Sequence, residues 1–268
     1  MITSVSNQKV KRLVNLQKKR KARDLEQVFL VEGIRMFREV PFEDLLEIYV
    51  SEDFYKKEKE LTDKMKDESG AAFEIFSDNV FSHVSDTRTP QGVLCVVRQR
   101  SHKDVNLAWK SEKTPLLLVL DNIQDPGNLG TILRTGEAAG VTGILMSSGC
   151  VDIYNPKTIR STMGSVFRMP FWICEDLEGS IVKMKEAGVH TYAAHLAGKG
   201  SYDEQDFKGA TAFFIGNEGN GLRDEIAALS DTYLRIPMEG QVESLNAAIA
   251  ATVLMFEAGR QRRVDGKF

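Results

Sequence analysis

The chain has 268 residues, a hydrophobic share of 42% and a formal net charge of −3. These values are typical of a globular protein with one large or two smaller domains, and no apolar run approaches the ~20 residues that span a membrane. The charge is unevenly distributed, because the first 23 residues hold eight basic residues and no acid. Such a patch attracts phosphate backbones, although a solvated helix face is an equally weighted reading. The basic residues are Lys9, Lys11, Arg12, Lys18, Lys19, Arg20, Lys21 and Arg23.

The amino-terminal stretch lacks the apolar segment and small-residue cleavage site of a signal peptide, so none is expected. The three cysteines are unclustered and odd in number, which favours a reducing cytoplasm over a disulfide framework. The four histidines do not pair with cysteines at metal-ligand spacing. We therefore expect no metal site.

Residues 1–98 predict a small α/β sandwich. Val10, Leu13, Val14 and Leu16 recur roughly at helical spacing, and short apolar runs at 29–31, 48–50, 73–76 and 92–97 predict strands. A charged helix is predicted at 53–67. The polar, aperiodic stretch 99–114 is interpreted as a linker.

Strands and helices alternate again from residue 115 to the end of the chain. Strands are predicted at 116–120, 142–146, 190–194, 211–215 and 233–236, and helices at 128–139, 177–187 and 245–262. This alternation predicts a parallel sheet covered on both faces. Ligands of such sheets bind beyond the carboxyl ends of the strands.

Three polar clusters follow predicted strands. The first, at 121–135, reads D-N-I-Q-D-P-G-N-L-G-T-I-L-R-T, with Asn128 as a suitable helix N-cap and Arg134 further along the helix. The second, at 215–222, reads I-G-N-E-G-N-G-L. Its glycines permit close approach to a ligand, and Glu218 is a carboxylate that needs a partner. Each cluster taken singly is more often a cap or a tight turn than a site.

The third cluster, at 234–248, reads L-R-I-P-M-E-G-Q-V-E-S-L-N-A-A. Ser244 is a candidate cap for the final helix. That helix places Leu245, Ile249, Val253 and Phe256 on one face, and its other sides are also apolar. A helix of this composition is either fully buried or shared with a second subunit, and the residues leave both options open.

In their order and spacing, the three clusters resemble the motifs of the SpoU/TrmH-like RNA 2′-O-methyltransferases. The segment Y-N-P-K-T-I-R-S-T-M-G-S at 154–165 also resembles this family. V-F-L-V-E-G at 28–33 and S-D-T-R-T-P-Q-G-V at 85–93 resemble the L30e-like substrate-binding domain of its rRNA-modifying members. The resemblance implies an L30e-like domain at 1–98, a linker at 99–114 and a SPOUT domain at 115–268 with a deep trefoil knot. General topology rules argue against knots, so the knot rests on the resemblance alone.

The resemblance also implies S-adenosylmethionine as cofactor, RNA as substrate and a cytoplasmic homodimer with its sites near the subunit interface. The L30e-like extension favours rRNA, of the large subunit, over tRNA. The positions implied for cofactor binding are Gly216, Asn217, Ile236, Met238, Leu245 and Leu196. Those implied for catalysis are Arg134, Asn128, Glu218, Ser244 and Asn246. The basic residues of the first 23 would contact RNA phosphates.

In the family, the residue matching Arg134 is proposed to activate the 2′-hydroxyl. A guanidinium with a pKa above ~12 rarely acts as a base. We therefore favour a role in which Arg134 orients an RNA phosphate that accepts the proton. Asn128 would position Arg134 or the ribose, Glu218 would organise the second loop, and Ser244 and Asn246 would line the site.

Two other classes of protein compete with this interpretation. A non-catalytic RNA-binding protein would use the knot as a dimer scaffold, but the intact set of candidate catalytic residues argues against it. A dinucleotide-dependent oxidoreductase would need a G-x-G-x-x-G fingerprint, and the second cluster has the spacing G-x-x-G-x-G instead. Within the enzyme class, a tRNA substrate is the alternative to rRNA.

Overall fold

The computed structural model describes residues 1–100, 104–110, 112–198 and 200–264. The helices and strands of the first 100 residues are α1 (Gln8–Lys18), α2 (Arg20–Glu26), β1 (Val28–Glu32), α3 (Ile34–Phe37), β2 (Leu45–Ser51), α4 (Glu52–Lys57), α5 (Lys59–Ser69), β3 (Ala72–Phe76), α6 (Asp78–Val84) and β4 (Val93–Arg98). Those that follow are β5 (Leu116–Leu120), α7 (Pro126–Ala139), β6 (Gly143–Ser147), α8 (Pro156–Thr162), β7 (Phe171–Cys174), α9 (Leu177–Glu186), β8 (His190–Ala194), β9 (Gly200–Ser201), β10 (Thr211–Ile215), α10 (Asp224–Ala227), β11 (Thr232–Arg235) and α11 (Ala247–Val264).

The chain forms two compact units, and the first consists of Met1–Arg100 together with Asp152–Phe167. The second holds the remaining described residues. Segment 152–167 connects β6 to β7 in the chain, yet it packs in the first unit. There Asp152 pairs with Arg23, and the ring of Tyr154 lies 4.8 Å from that of Phe29. The predicted boundaries kept this segment with the carboxyl-terminal domain, because its partners are distant in sequence.

The first unit is built on a sheet with the strand order β1-β4-β2-β3. Only the β2–β3 pair is parallel. Helix α1 buries Val10, Leu13 and Leu16 in the core that the sheet shares with it, as the spacing of these residues predicts. The single helix predicted at 53–67 is wrong: two helices, α4 and α5, meet at Glu58, whose φ of −119° and ψ of 36° interrupt the helix.

In the described part of the second unit, seven parallel strands form a sheet with the order β7-β6-β5-β10-β8-β11-β9. Every residue of β5 and β10 is buried, which confirms the expected burial of these strands on both faces. Two residues of the predicted linker, Ala108 and Trp109, lie in the core of this unit. Their polar sequence surroundings concealed them, and residues 101–103 and 111 of that stretch lie outside the described residues.

The final helix begins at Ala247, two residues later than predicted. It packs against α7 in parallel orientation, with the hydroxyl oxygens of Thr252 and Thr135 3.3 Å apart. No helix among the described residues is long and apolar enough to cross a membrane.

Candidate active site

Four strands at the centre of the parallel sheet end beside one another. β10 lies between β5 and β8, and β8 pairs with β11. Because the strands are parallel, the loops that follow them leave from the same edge of the sheet. Residues more than 100 positions apart in the chain are thereby brought together.

The loops after β8, β10 and β11, together with the start of α11, line a cavity of about 310 Å³. All six positions predicted for cofactor binding line it: Leu196, Gly216, Asn217, Ile236, Met238 and Leu245. Two of the predicted catalytic residues, Glu218 and Ser244, line it as well. The structure therefore gathers the predicted cofactor positions at one place.

The loop after β10 is closed tightly upon itself. Asn217 and Gly221 exchange backbone hydrogen bonds of 2.9 and 3.0 Å. The Asn217 side chain accepts from the backbone N–H groups of Gly219 and Asn220 and donates to the carbonyl oxygen of Asn122. At Gly216 a Cβ would collide with the backbone of Gly221 and Leu222. Glycine at 216 is thus required for the loop to close.

Glu218 joins this loop to the one after β5. Its carboxylate accepts hydrogen bonds from the backbone N–H groups of Gln124 and Asp125, each 3.0 Å long, and from Asn128 Nδ2 at 2.9 Å. Desolvation alone would raise the pKa of Glu218, but the hydrogen bonds from Asn128, Gln124 and Asp125 outweigh it and lower that pKa below its ordinary value. Glu218 thus organises two loops as an anion, the partnered role that its position suggested.

Asn128 and Asn246 extend the connection to the third loop. Asn128 Oδ1 accepts a 2.9 Å hydrogen bond from Asn246 Nδ2, and Asn246 Oδ1 accepts from the backbone N–H of Ala248 at 2.9 Å. Both predicted caps are therefore wrong. Asp125, with a side chain that accepts from Asn128 N, caps α7, while Asn246 rather than Ser244 bonds the first turn of α11.

Arg134 stands apart from these residues. It lies on the exposed side of α7 and is not among the residues that line the cavity. Within the described residues its guanidinium makes no ion pair. On a helix of 100° per residue it lies about 120° around the axis from Asn128, so one subunit does not bring the two side chains to the same face.

The predicted RNA-binding residues divide into two groups. Arg23 is 3% exposed and its guanidinium bonds to Asp152 and to the carbonyl oxygens of Leu16 and Gln17, so its prediction as an RNA contact is wrong. Arg12 is held by Glu26 and Glu47. Lys9 and Arg20 also pair with carboxylates, those of Glu74 and Asp24. The residues left exposed and without an ion pair in the described chain are Lys11, Lys18, Lys19 and Lys21.

The sequence analysis missed a buried ion pair at the edge of the site. Asp121 directly follows β5 and is 0% exposed. Arg223 follows the loop 216–222 and donates to Asp121 from Nε and Nη2, over 2.9 to 3.1 Å. The only available signal was an acid directly after an apolar strand, since a buried carboxylate requires a partner.

Comparison with known proteins settles the family. The model of the SpoU rRNA Methylase family matches residues 115–256, and that of the MRM3-like substrate binding domain matches residues 7–95. The chain belongs to the SpoU rRNA methylase family. The predicted family is thereby confirmed, and the parallel sheet matches the SPOUT methyltransferase fold.

Several relatives with known names or solved structures match almost the full length of this chain. The 23S rRNA (guanosine(2553)-2′-O)-methyltransferase RlmP of Bacillus subtilis is 34% identical over 95% of this chain and 97% of its own. The crystal structure of an AdoMet-bound rRNA methyltransferase from Sinorhizobium meliloti is 31% identical, with a TM-score of 0.85 and 97% coverage of both chains. The SpoU methyltransferase AviRb from Streptomyces viridochromogenes, in complex with AdoMet, is 26% identical, with a TM-score of 0.85 over 96% of this chain and 98% of its own. These relatives confirm the predicted enzyme class and its dependence on S-adenosylmethionine.

Proposed function

We propose that this SpoU methylase transfers a methyl group from S-adenosylmethionine to a ribose 2′-hydroxyl of 23S rRNA. One observation carries the proposal: the hydrogen-bonded chain Glu218–Asn128–Asn246 borders a cavity lined by all six predicted cofactor positions. The likeness to RlmP over nearly the whole chain supports 23S rRNA as the substrate.

The cavity suits an adenosyl ligand in its chemistry. Leu196, Met238 and Leu245 supply apolar surface. The backbone of 236–245 forms neither strand nor helix, and within the described residues none of its N–H or carbonyl groups has a hydrogen-bonded partner. Polar backbone groups beside an apolar wall match a ligand that combines a heteroaromatic ring with a ribose. We assign ligand contacts to Gly216, Ile236 and Leu245.

S-adenosylmethionine supplies an electrophilic methyl carbon on a sulfonium. The task left to the protein is to hold a 2′-oxygen in line with it and to direct the proton away. Asn128 and Asn246, fixed by Glu218 and by the start of α11, would position the ribose. Arg134 would hold an adjacent RNA phosphate with its planar fork, and that phosphate would take the 2′-hydroxyl proton.

A homodimer gives Arg134 its place in this mechanism. Helix α11 exposes Ile249 and Phe256, at 50% and 42%, one turn either side of the half-buried Val253. Helix α7 carries Arg134 at an exposed position and packs beside α11 in parallel, so Arg134 lies on the helix next to the one that bears this stripe. Pairing two copies through this apolar stripe would set Arg134 of one subunit near the cavity of the other. Phe256→Glu should then yield monomers in sedimentation and abolish methyl transfer.

The first unit would bind the RNA. We propose that it has the L30e-like fold and that its exposed lysines at 11, 18, 19 and 21 contact phosphates, while the carboxyl-terminal unit contains the trefoil knot. The protein would act in the cytoplasm. Replacing Lys18, Lys19 and Lys21 by Gln should weaken RNA binding and flatten its salt dependence.

The activity can be tested with radiolabelled methyl groups. Purified protein is incubated with labelled S-adenosylmethionine and with rRNA or tRNA from a strain that lacks the protein, and Arg134→Ala is assayed in parallel. We expect label in 23S rRNA, at one alkali-resistant linkage, that disappears with the variant. Label in tRNA alone would indicate that tRNA, and not 23S rRNA, is the substrate. RNA binding without any label would favour the non-catalytic alternative.

A further inference from the structure

The pair formed by Asp121 and Arg223 lies at the carboxyl-terminal end of the loop 216–222, which we call the braced loop. Asp121 continues the β5–β10 ladder, since its N–H donates to the carbonyl oxygen of Ile215 over 2.9 Å. Its carboxylate is completely buried, while the Arg223 side chain that binds it is 40% exposed. The Arg223 backbone N–H also donates to Asp121 Oδ2 at 3.3 Å. Both the backbone and the side chain of Arg223 are thus attached to a single carboxylate.

This attachment lies directly beside the cavity. Arg223 follows Leu222, which lines the cavity and is 6% exposed, with its side chain in the core of the second unit. Leu222 in turn contributes the backbone N–H against which Gly216 packs. The position of Arg223 therefore helps to fix where Gly221 and Leu222 meet Gly216 at the start of the loop.

The loop 216–222 has three attachments to the loop after β5. Asn217 bonds Asn122 at the start of the loop, Glu218 bonds residues 124, 125 and 128, and Arg223 bonds Asp121 at its end. Asn217 and Glu218 lie in the first half of the loop. The second half comprises the glycine-rich turn and Leu222. Asn217 bonds its residues 219–221 within the loop, and Arg223 is the attachment that ties its far end to the loop after β5.

We propose that Arg223 is a positioning residue for the methyl donor: its planar fork on buried Asp121 holds residues 219–222 in the conformation that binds the adenosyl group. The inference rests on the proposed function, because it concerns the same cavity. Arg223 itself is not among the residues that line the cavity. Its effect on binding passes through the backbone that it holds.

The geometry requires arginine rather than any cation. Nε and Nη2 reach both carboxylate oxygens at once, an arrangement that fixes orientation as well as distance. Lysine would keep the charge next to Asp121 but would present a single rotatable ammonium. Arg223→Lys should therefore preserve the fold and loosen the loop.

The test measures affinity for S-adenosylmethionine by calorimetry in the wild type, Arg223→Lys and Asp121→Asn. Asp121→Asn removes the buried negative charge and so leaves no unpaired carboxylate in the core. This variant therefore measures the loss of the Asp121–Arg223 contact even if Arg223→Lys is poorly folded. The matched control is Lys185→Met, which breaks the Lys185–Asp231 ion pair. Asp231 directly precedes β11, so this pair lies at the amino ends of the strands, opposite the cavity.

We expect a roughly tenfold higher Kd for S-adenosylmethionine in both site variants, the loss of one good charge-assisted contact. The KM for RNA should stay unchanged, and Lys185→Met should bind the cofactor like the wild type despite a lower melting temperature. If the site variants lower the melting temperature but bind the cofactor with wild-type affinity, the pair is purely structural and the inference is overturned. Failure of the wild type to bind S-adenosylmethionine would instead overturn the proposed function.

Discussion

Two loops of the second unit line the same cavity in opposite ways. The loop 216–222 is held by its own backbone bridge and by side-chain bonds from Asn217 and Glu218 to the loop after β5. In the described chain, the backbone of 236–245 has no hydrogen-bonded partner. The first loop sets the shape of the cavity before a ligand arrives, and the second offers polar groups that a ligand can satisfy. Substitutions in the two loops should therefore reduce methyl transfer to different extents.

The largest difference is expected between matched alanine substitutions at Gly216 and Gly240. A Cβ at 216 would collide with the backbone of Gly221 and Leu222, whereas one at 240 would meet no atom within 4 Å. Gly216→Ala should reduce kcat/KM for S-adenosylmethionine by about 100-fold, the scale of a small misplacement at a reacting centre. Gly240→Ala should stay close to the wild type. Steady-state kinetics with rRNA in excess measure both, and similar losses in the two variants would show that the braced loop is not preorganised.

The next effect concerns the two carboxylates of the cavity. Glu218 accepts three hydrogen bonds. Glu243 lies on the loop 236–245, which we call the open loop, and lines the cavity without a hydrogen bond to the described residues. Glu218→Gln keeps the size of the side chain but replaces one acceptor by a donor that faces N–H groups. We expect about tenfold weaker methyl transfer, equivalent to one charge-assisted bond, and almost no change for Glu243→Gln. Equal losses in both variants would mean that the charge, and not the bracing, matters.

Glu218 should also make the stability of the protein depend on pH. Its pKa is lowered below 4.5 in the folded protein, so the anion stabilises the fold above pH 4.5. This contribution is lost as the pH falls through the lowered value. Denaturation curves between pH 3 and 7 should show the stability gap between the wild type and Glu218→Gln narrowing only below about pH 4.5. If the difference in stability between the two proteins does not depend on pH, the charge of the Glu218 carboxylate does not stabilise the fold.

Local patterns predicted the braced elements well and the long-range partners poorly. The apolar run 116–120 predicted a buried strand, which the structure shows, and Glu218 was expected to need a partner, which the structure supplies. Asp121 and Arg223 are 102 residues apart, and nothing near either residue specifies the other. The sequence likewise contains no sign that Arg23 pairs with Asp152, so a buried arginine was counted with the RNA-binding surface.

The caps failed for a different reason. Asp125 and Asn128 are both good N-cap residues three positions apart, as are Ser244 and Asn246 two positions apart. N-cap propensity cannot distinguish between such neighbours, because the position of the cap depends on the path of the chain between the preceding strand and the helix. In both cases the sequence analysis named one residue as the cap, and the structure uses a neighbouring residue instead.

The smallest expected effect follows from that assignment and tests the end of the open loop. Asn246 bonds both Asn128 and the first turn of α11, while Ser244 makes no hydrogen bond to the described residues. Asn246→Ala should lower the free energy of unfolding by about 1 kcal/mol, the usual cost of a lost N-cap. Ser244→Ala should change it by less than about 0.5 kcal/mol. Urea denaturation at neutral pH measures both. If Ser244→Ala were the more costly, α11 would begin where the sequence suggested, and the open loop would have a fixed end two residues earlier than the structure shows.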